Sequence, residues 1–336
     1  MSIKIIAEAA QGYEGNYHYA RLLVKAAAEA KADSVKFQLV YADELCTPEY
    51  EYQSLFKSLE LRDNEWLELK KYASSLKINL EFDIFGSRSL KLSEKLKIKC
   101  IKLHPTDIVN FGLLRKVKQS SIENVCLGVG GSTLREISNA LDILYNKNVN
   151  VMIGFQNYPT PTKTNNINRI SSLKNFFKGK YKNISYGFAD HEVAESNLKY
   201  ILPAVALGAG ATVIEKHFTL SNELNLEDSE TALNPKELKT FCDLIRNSSK
   251  GIGTTSLKDD FNMSQQEKNY RHTIRRHVVA SKKLIKGKII NEKDITLKRT
   301  SSQKPIKDLS IVIGNKLNKA ININQPITLE DLERNE

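Results

Sequence analysis

The chain has 336 residues, of which 41% are hydrophobic, and a formal net charge of +11. This length and composition suffice for a large core, exclude a disordered chain, and predict a main domain followed by a smaller one. No apolar run reaches the ~18 residues of a membrane span and no signal-peptide pattern is present, so we expect a cytoplasmic protein without a membrane partner. The four cysteines lack metal-site spacing and the lysines form no dense basic block. Neither a zinc ribbon nor a nucleic-acid partner is therefore indicated.

Short apolar segments alternate with segments of helical length or periodicity in residues 1–250. The predicted strands are 3–8, 34–40, 78–83, 98–103, 124–129, 149–155, 184–188 and 212–216. Leucines and alanines at helical spacing predict the first helix at 18–32. This alternation predicts a closed (β/α)8 TIM barrel, whose ligand site lies at the carboxyl ends of the strands. After a polar linker at 251–275, the short apolar runs of 276–336 predict a small β-rich domain.

Polar residues gather where the predicted strands end, as a barrel active site requires. They are Glu8, Lys36, Gln38, Asp83, Lys102, Gln156, Asn157, Asp190, His191, Lys216 and His217. The clearest signal is the pair His191 and His217, which end two neighbouring strands with a helical segment near 194–207 between them. A single histidine after an apolar run is more often a packed core residue, but a pair at one rim is typical of two ligands of one metal ion.

The fifth predicted strand ends in glycines instead, in the turn 128–131 before Ser132. Glycines let backbone N–H groups and a helix N-terminus approach a phosphate, although such turns are also ordinary strand-to-helix connections and this one matches neither nucleotide-binding fingerprint. Lys36 and Lys102 also allow two interpretations. They could be ordinary surface lysines, or they could bind the phosphate and carboxylate groups of an anionic ligand as a clamp. Their position at a common rim favours the clamp.

Further short motifs occur in one order along the chain. They are Val35-Lys36-Phe37-Gln38, Tyr158-Pro159-Thr160-Pro161, Ala189-Asp190-His191 and Glu215-Lys216-His217-Phe218-Thr219. In this order and spacing they resemble the sialic acid synthase family. The stretch that begins Arg276-His277-Val278-Val279 resembles the antifreeze-like (SAF) domain that ends these synthases. The resemblance covers the whole chain.

The resemblance implies an enzyme that condenses phosphoenolpyruvate with an N-acetylated hexosamine-type aldose. The products would be phosphate and a sialic-acid-like nonulosonic acid for surface polysaccharide or glycan biosynthesis. It also implies a divalent metal, typically Mn²⁺ with Mg²⁺ or Co²⁺ as alternatives, and a domain-swapped homodimer. The implied roles are catalysis for Glu8, metal binding for His191 and His217, phosphoenolpyruvate binding for Lys36, Lys102, Gln156, Tyr158 and Gly128, and sugar binding for Gln38, Asp107, Asp228 and Arg299.

The chain departs from the family pattern at three places. It carries Gly12-Tyr13 where these synthases usually carry Asn-His, Lys102-Leu103-His104-Pro105 in place of Lys-x-x-Ser, and Gly128-Val129-Gly130 in place of Ser-Thr-Gly. Several hydroxyl donors to the phosphate are thus missing. Two other readings stay open: a Schiff-base aldolase with Lys102 as nucleophile, which needs no metal, and a barrel that binds sugar without turnover. Glu8 itself could act in proton transfer or simply pair with Lys36.

Overall fold

The computed structural model describes residues 3–154, 156–253, 256, 258–302, 304 and 306–333. The chain forms two compact units, Met1–Thr254 and Thr255–Glu336. Within the described ranges, no helix is both long enough and apolar enough to cross a bilayer.

The first unit is a closed barrel of eight parallel strands in sequential order, which confirms the predicted fold class. The strands are β1 (Lys4–Ala10), β2 (Ser34–Gln38), β3 (Asn79–Ile84), β4 (Cys100–Leu103), β5 (Asn124–Gly128), β6 (Asn148–Gly154), β7 (Ile184–Asp190) and β8 (Val213–His217). Strand β1 pairs with both β2 and β8, so the sheet has no open edge. Because helices cover the outer face and side chains fill the interior, these strands are apolar along most of their length.

Helices surround the barrel and also lie in the connections. They are α1 (Tyr17–Glu29), α2 (Ala42–Leu45), α3 (Gln53–Ser58), α4 (Asp63–Ser75), α5 (Ser87–Lys95), α6 (Phe111–Gln119), α7 (Leu134–Ile143), α8 (Arg169–Phe176), α9 (Leu198–Gly208), α10 (Pro235–Ile252) and α11 (Gln265–Ile274). The predicted strands and the first helix agree with the structure to within a few residues. The segment predicted as a linker contains α11, which Ser264 caps by accepting a hydrogen bond from Glu267 N. The short helices α2 and α3 after β2 are not evident from the sequence pattern.

The alternation of side chains along the strands places the site. Residues at the lower level of the barrel interior form one buried apolar cluster: Ile6, Cys100, Cys126, Met152, Ala189 and Val213. The side chain two positions further along a strand points to the same interior, one level nearer the carboxyl end. At that level stand Glu8, Lys102, Gly128, Gly154, His191 and Glu215. Because every second side chain of a strand points into the barrel, an apolar level of the interior is followed directly by a level that carries most of the polar site residues.

The second unit is small and β-rich, as predicted. Strands β9 (His277–Ala280) and β10 (Ile295–Lys298) pair in antiparallel register, and further single bridges connect the rest of the unit. Its own core contains Val278, Ile290, Val312, Leu317, Ile321 and Ile327. Buried carboxylates organise its turns: Asp294 and Asp331 each accept hydrogen bonds from the backbone three residues earlier.

Candidate active site

A cavity of about 560 Å³ opens at the carboxyl ends of the barrel strands. Its size suits one or two small ligands. Among the residues predicted for a site, the lining includes Glu8, Gln38, Lys102, Gly128, Tyr158, His191, His217 and Asp228. Strands β1, β2, β4, β5 and β8 and the loops after β6, β7 and β8 supply them. The structure thus brings residues from seven of the eight strand ends to one mouth, where TIM barrels hold their active sites.

The two histidines face each other. The ring centroids of His191 and His217 lie 5.1 Å apart, and the Tyr158 ring stands edge-on to both at 5.7 and 5.6 Å. His191 Nδ1 lies 3.0 Å from the Ala189 carbonyl oxygen, a contact in which the nitrogen donates. A neutral ring with its proton on Nδ1 carries its lone pair on Nε2, the arrangement usual for metal-binding imidazoles.

Both imidazoles are held in the neutral form. Burial lowers the pKa of His191 to about 3, and Lys102 acts in the same direction. Burial and the neighbouring His191 lower the pKa of His217 well below its usual value. Neutral imidazole is the ligand form that a divalent metal needs, so the pair fits a metal ion. Within the described ranges, no group of three or more His, Cys, Asp or Glu side chains is arranged to hold a metal, so these two histidines would leave several positions to water and substrate.

A buried ion cluster lies beside the histidines. Lys36 Nζ contacts Glu8, Asp83 at 2.6 Å and Glu215 at 3.1 Å. Lys102 Nζ lies 2.5 Å from Glu215 and 3.7 Å from Asp83. Burial acts to raise the pKa of Glu215, but Lys102 and Lys36 outweigh it and hold that pKa far below its usual range. Glu215 and Asp83 therefore each contact both lysines.

Glu8 differs from its neighbours in the cluster. Burial raises its pKa above the usual range; Lys36 lowers it, while Asp83 and Glu215 raise it further. The two ammonium groups of Lys36 and Lys102 cannot balance three carboxylates, and Glu8 carries the proton most readily. Its Oε1 accepts a hydrogen bond from Ala10 N at 2.8 Å. Glu8 both pairs with Lys36 and lines the cavity, and its role in proton transfer stays a prediction.

Tyr158 and Asp228 join two loops across the mouth. The Tyr158 hydroxyl donates to the Asp228 carbonyl oxygen at 2.7 Å and accepts from the Thr231 hydroxyl at 3.2 Å. Asp228 has φ of +62°, a left-handed conformation that Asp and Asn tolerate better than most residues. Burial raises the pKa of its carboxyl group to about 6, against a hydrogen bond from Gln11 N that lowers it.

Two departures from the family pattern are linked in space. A Cβ atom at Gly128 would lie 2.6 Å from Cδ of Pro105. Since real Cβ atoms do not approach that closely, a serine at position 128 would require the proline ring at 105 to shift. The loss of one hydroxyl at the end of β5 therefore accompanies a proline ring in the loop after β4. The third departure has another cause: Tyr13 is fully buried and packs edge-on against Phe37 and Trp66.

Four predicted residues lie elsewhere. Lys36 is fully buried within the ion cluster and is not part of the cavity lining. Gln156 lines a second cavity of about 480 Å³ with Gly130, Gly131 and Arg169. Asp107 accepts from Asn110 Nδ2 at 2.9 Å and is absent from the cavity lining. Arg299 belongs to the second unit, where its exposed guanidinium donates to the Ile274 carbonyl at 3.2 Å. The binding roles assigned to all four stay predictions.

Sequence reasoning assigned no role to two groups of residues that the structure places at this site. Glu215 lies within a family motif on β8, two residues after Val213. Because side chains two positions apart on a strand point to the same side, this spacing predicts that Glu215 points into the barrel, as Val213 does. The other group forms a largely apolar side of the cavity: Leu45, Tyr50, Phe56 and Phe85, which we call the loop wall. No regular spacing marks these residues, because they lie on short helices and loops.

Comparison with known proteins agrees with this geometry. Residues 23–256 match the NeuB family, and residues 275–333 match the SAF domain. The chain belongs to the NeuB family. This confirms the resemblance to sialic acid synthases and the antifreeze-like identity of the tail.

Relatives span both units. The chain is 31% identical over 317 residues to the N,N'-diacetyllegionaminic acid synthase of Campylobacter jejuni, covering 89% of this chain and 90% of that protein. An uncharacterized protein of Methanocaldococcus jannaschii is 31% identical over 316 residues, or 93% of this chain and 89% of that one. Among solved structures, the N-acetylneuraminic acid synthetase of Leptospira borgpetersenii matches with a TM-score of 0.72 and 26% identity, over 81% of this chain and 92% of that one.

Proposed function

We propose that this protein condenses phosphoenolpyruvate with an N-acetylated hexosamine-type aldose, forming a nonulosonic acid and phosphate with the help of a divalent metal. The observation that carries the proposal is the convergence of Glu8, Lys102, His191, His217 and Asp228 on one cavity in a NeuB-family barrel. Relatives named as legionaminic, pseudaminic and N-acetylneuraminate-9-phosphate synthases support the same reaction class.

The charges around the cavity support an anionic substrate that binds together with a metal. Phosphoenolpyruvate carries a phosphate and a carboxylate, and Lys102 is the ammonium group that reaches the cavity. Lys36 and Lys102 are already matched by three carboxylates, those of Glu8, Asp83 and Glu215. An added cation is therefore needed for the anion to bind favourably. His191 and His217 would hold that cation.

When bound, a divalent metal such as Mn²⁺ would polarise the aldehyde oxygen of the open-chain sugar. The chain's own residues account for the remaining steps. C3 of phosphoenolpyruvate forms the new bond to the aldehyde carbon, water adds at C2, and phosphate leaves with its bridging oxygen. The water oxygen becomes the C2 ketone oxygen, so the water gives up two protons, and the departing phosphate takes one of them. For the other, a group must accept a proton from the water and donate one to the sugar oxygen. A carboxyl group with a raised pKa can do both, and Glu8 fits because burial raises its pKa.

The Schiff-base alternative would use the same Lys102 differently. Its nucleophile must attack a carbonyl with a free lone pair, whereas Lys102 Nζ contacts Glu215 at 2.5 Å and Asp83 at 3.7 Å. The observed arrangement holds this amine as an ion-pair partner. Treatment with borohydride and a keto acid, followed by mass spectrometry, should therefore yield no adduct at Lys102.

The resemblance also supports two proposals about the assembled protein: a cytoplasmic location and a homodimer with shared active sites. In the second, Arg299 would serve the site of the partner subunit. Mixing two inactive variants, His217→Ala and Arg299→Ala, should then restore activity in mixed dimers. Absence of any recovery, with dimers verified by light scattering, would argue against shared sites.

The direct test of the reaction is phosphate release from phosphoenolpyruvate with a panel of N-acetylated and 2,4-diacetamido hexoses, with Mn²⁺ or with EDTA. We expect acceptor-dependent release that EDTA abolishes and that His217→Ala lacks. The exposed His18 on α1 offers a matched control, and His18→Ala should retain activity. Release that persists in EDTA, or no release with any acceptor, would contradict the proposal.

A further inference from the structure

Asp190 and Lys216 are polar residues at strand ends to which the proposed reaction gives no role. Asp190 ends β7 directly before His191, and Lys216 directly precedes His217, the last residue of β8. The lining of the main cavity includes both histidines but neither of the residues before them. Because side chains alternate along a strand, Asp190 and Lys216 lie on the outer face of the sheet, behind the histidines.

The two side chains form a buried ion pair between the strands. Lys216 Nζ lies 2.6 Å from Asp190 Oδ2, and both side chains are fully buried. Asp190 and Lys216 are also partners in the parallel ladder of β7 and β8, at its last paired position. Breaking such a pair is costly, since either charge alone would be left in the interior without compensation. The pair therefore holds the ends of β7 and β8 at one separation.

The ammonium group of Lys216 also fixes the backbone just after His191. Its Nζ donates to the Glu192 carbonyl oxygen at 2.9 Å. The Thr162 hydroxyl donates to the Glu192 carboxylate at 2.9 Å, and Thr160 N donates to the His191 carbonyl oxygen at 2.9 Å. The backbone that carries the His191 ring is therefore held both by β8 and by the loop after β6.

Two imidazoles can share one metal ion only when a ring nitrogen of each reaches bonding distance. The ring centroids of His191 and His217 lie 5.1 Å apart, so a shift of one strand end against the other changes this spacing directly. Sites of this kind must be held to within about 0.5 Å by the residues around them. Groups that orient metal ligands without binding the metal typically contribute about 10- to 100-fold to metal affinity.

From these contacts we infer that Asp190 and Lys216 are positioning residues. Their ion pair sets the spacing of His191 and His217, and thereby the affinity of the histidine pair for a divalent metal. This inference rests on the proposed function, which assigns a metal to the two histidines. It adds a role for the residue before each histidine, which acts through the backbone and does not touch the metal or the substrates.

The test measures Co²⁺ binding through visible absorption bands, which report the ligands and their geometry without turnover. The double variant Asp190→Asn/Lys216→Met removes both charges at similar side-chain volume, so no uncompensated charge remains. We expect its unfolding transition without metal to stay close to that of the wild-type protein. Its Co²⁺ affinity should fall by about 10- to 100-fold, and the absorption bands should change. A purely structural ion pair would alter the unfolding transition and leave the bands of bound Co²⁺ unchanged.

Lys199 offers a matched control. It is a buried lysine whose Nζ lies 2.8 Å from a carboxylate oxygen of Glu237 and donates to the Ala194 carbonyl oxygen, but it precedes no histidine. Lys199→Met should leave Co²⁺ affinity and the bands unchanged. Thr162→Val is a milder variant, which keeps the ion pair and removes one contact of Glu192. It should lower Co²⁺ affinity by less than the double variant does.

Wild-type Co²⁺ affinity and bands in the folded double variant would overturn the inference. If the double variant does not fold, unchanged affinity and bands in Thr162→Val would overturn it, as would a wild-type protein that binds no Co²⁺. Phosphate release from phosphoenolpyruvate with the acceptor panel is measured on the same proteins. If Co²⁺ binding changes as expected but no acceptor gives release, the proposed reaction fails and the positioning role stands.

Discussion

Two sides of one cavity are constructed in different ways. On the strand-end side, Lys102, His191 and His217 project from or directly follow barrel strands, where ladder hydrogen bonds fix the backbone and buried partners fix the side chains. On the side of the loop wall, Tyr50 and Phe56 lie on a turn and a short helix, and Tyr50 is 46% exposed. Residues on the strand-end side cannot be substituted without disturbing the barrel, whereas residues of the loop wall can.

The two sides of the cavity suit two different tasks: the strand-end side suits catalysis, and the loop wall suits recognition of the acceptor. Reacting groups must be held in one geometry to be effective, and rigid elements do this better than loops. Recognition of different acceptors needs a surface that can vary while the barrel stays constant. The relatives named as N,N'-diacetyllegionaminic acid, pseudaminic acid and N-acetylneuraminate-9-phosphate synthases form different products, which fits this division. Substitutions on the strand-end side should therefore affect folding and all substrates alike, and those on the loop wall should affect selectivity.

The largest effect on stability should follow from Glu215→Gln. Removing one member of a buried ion cluster leaves the remaining charges without compensation and costs about 3–5 kcal/mol. Urea unfolding should show this loss. Glu68 pairs with Lys71 on the exposed face of α4, so Glu68→Gln is a matched control that should change stability by less than about 0.5 kcal/mol. Equal losses of unfolding free energy in the two variants would show that the buried cluster contributes no more to stability than the surface pair.

Loss of a histidine should weaken metal binding and turnover with every acceptor. His191→Ala or His217→Ala should weaken Mn²⁺ binding, read by electron paramagnetic resonance. Each should also lower kcat by about 10²–10³-fold, since a bound metal supplies several kcal/mol of transition-state stabilisation. Unchanged Mn²⁺ affinity in both variants would show that the metal binds elsewhere. The strand-end side would then not be the catalytic side of the cavity.

The contact between Pro105 and Gly128 predicts a rescue. Gly128→Ser alone should destabilise the protein by about 1–3 kcal/mol, because its side chain meets the proline ring. Adding Pro105→Ser should recover most of that loss, since the ring is removed. Urea unfolding of the two single variants and the double variant measures the coupling. Purely additive effects would mean that the two departures from the family pattern are independent.

Asp228 should give the smallest effect, a change in pH dependence. The pKa of its carboxyl group is raised to about 6, so the carboxylate is lost as the pH falls through 6. If the carboxylate accepts a sugar hydroxyl, KM for the sugar should rise by up to about tenfold between pH 7 and pH 5, one charge-assisted hydrogen bond being worth roughly that much. Asp228→Asn should flatten this dependence. The same KM profile in both proteins would exclude Asp228 as its source.

Much of the strand-end side could be predicted from the sequence, because parallel strands place polar residues at known ends. His191 and His217 follow from this rule alone, and alternation also accounts for Glu8 and Lys102. The rule fails where a strand ends early. β6 ends at Gly154, which has φ of +129°, and Gln156 beyond the strand lines the second cavity.

Other features required three dimensions. Lys36 has the same sequence signal as Lys102, yet three carboxylates from three strands surround it, which only the closed barrel reveals. The close approach of Pro105 to Gly128 joins the segment after β4 to the end of β5, and no spacing rule predicts it. The loop wall has no periodic pattern at all. Prediction from sequence therefore worked best where regular hydrogen bonding sets the geometry.

Anomalous diffraction from crystals grown with Mn²⁺ and phosphoenolpyruvate tests the central claim most directly. The account predicts a manganese peak between the imidazoles of His191 and His217, with phosphoenolpyruvate bound beside Lys102 in the same cavity. A manganese peak away from both histidines, or phosphoenolpyruvate bound in the cavity lined by Gln156, would contradict it.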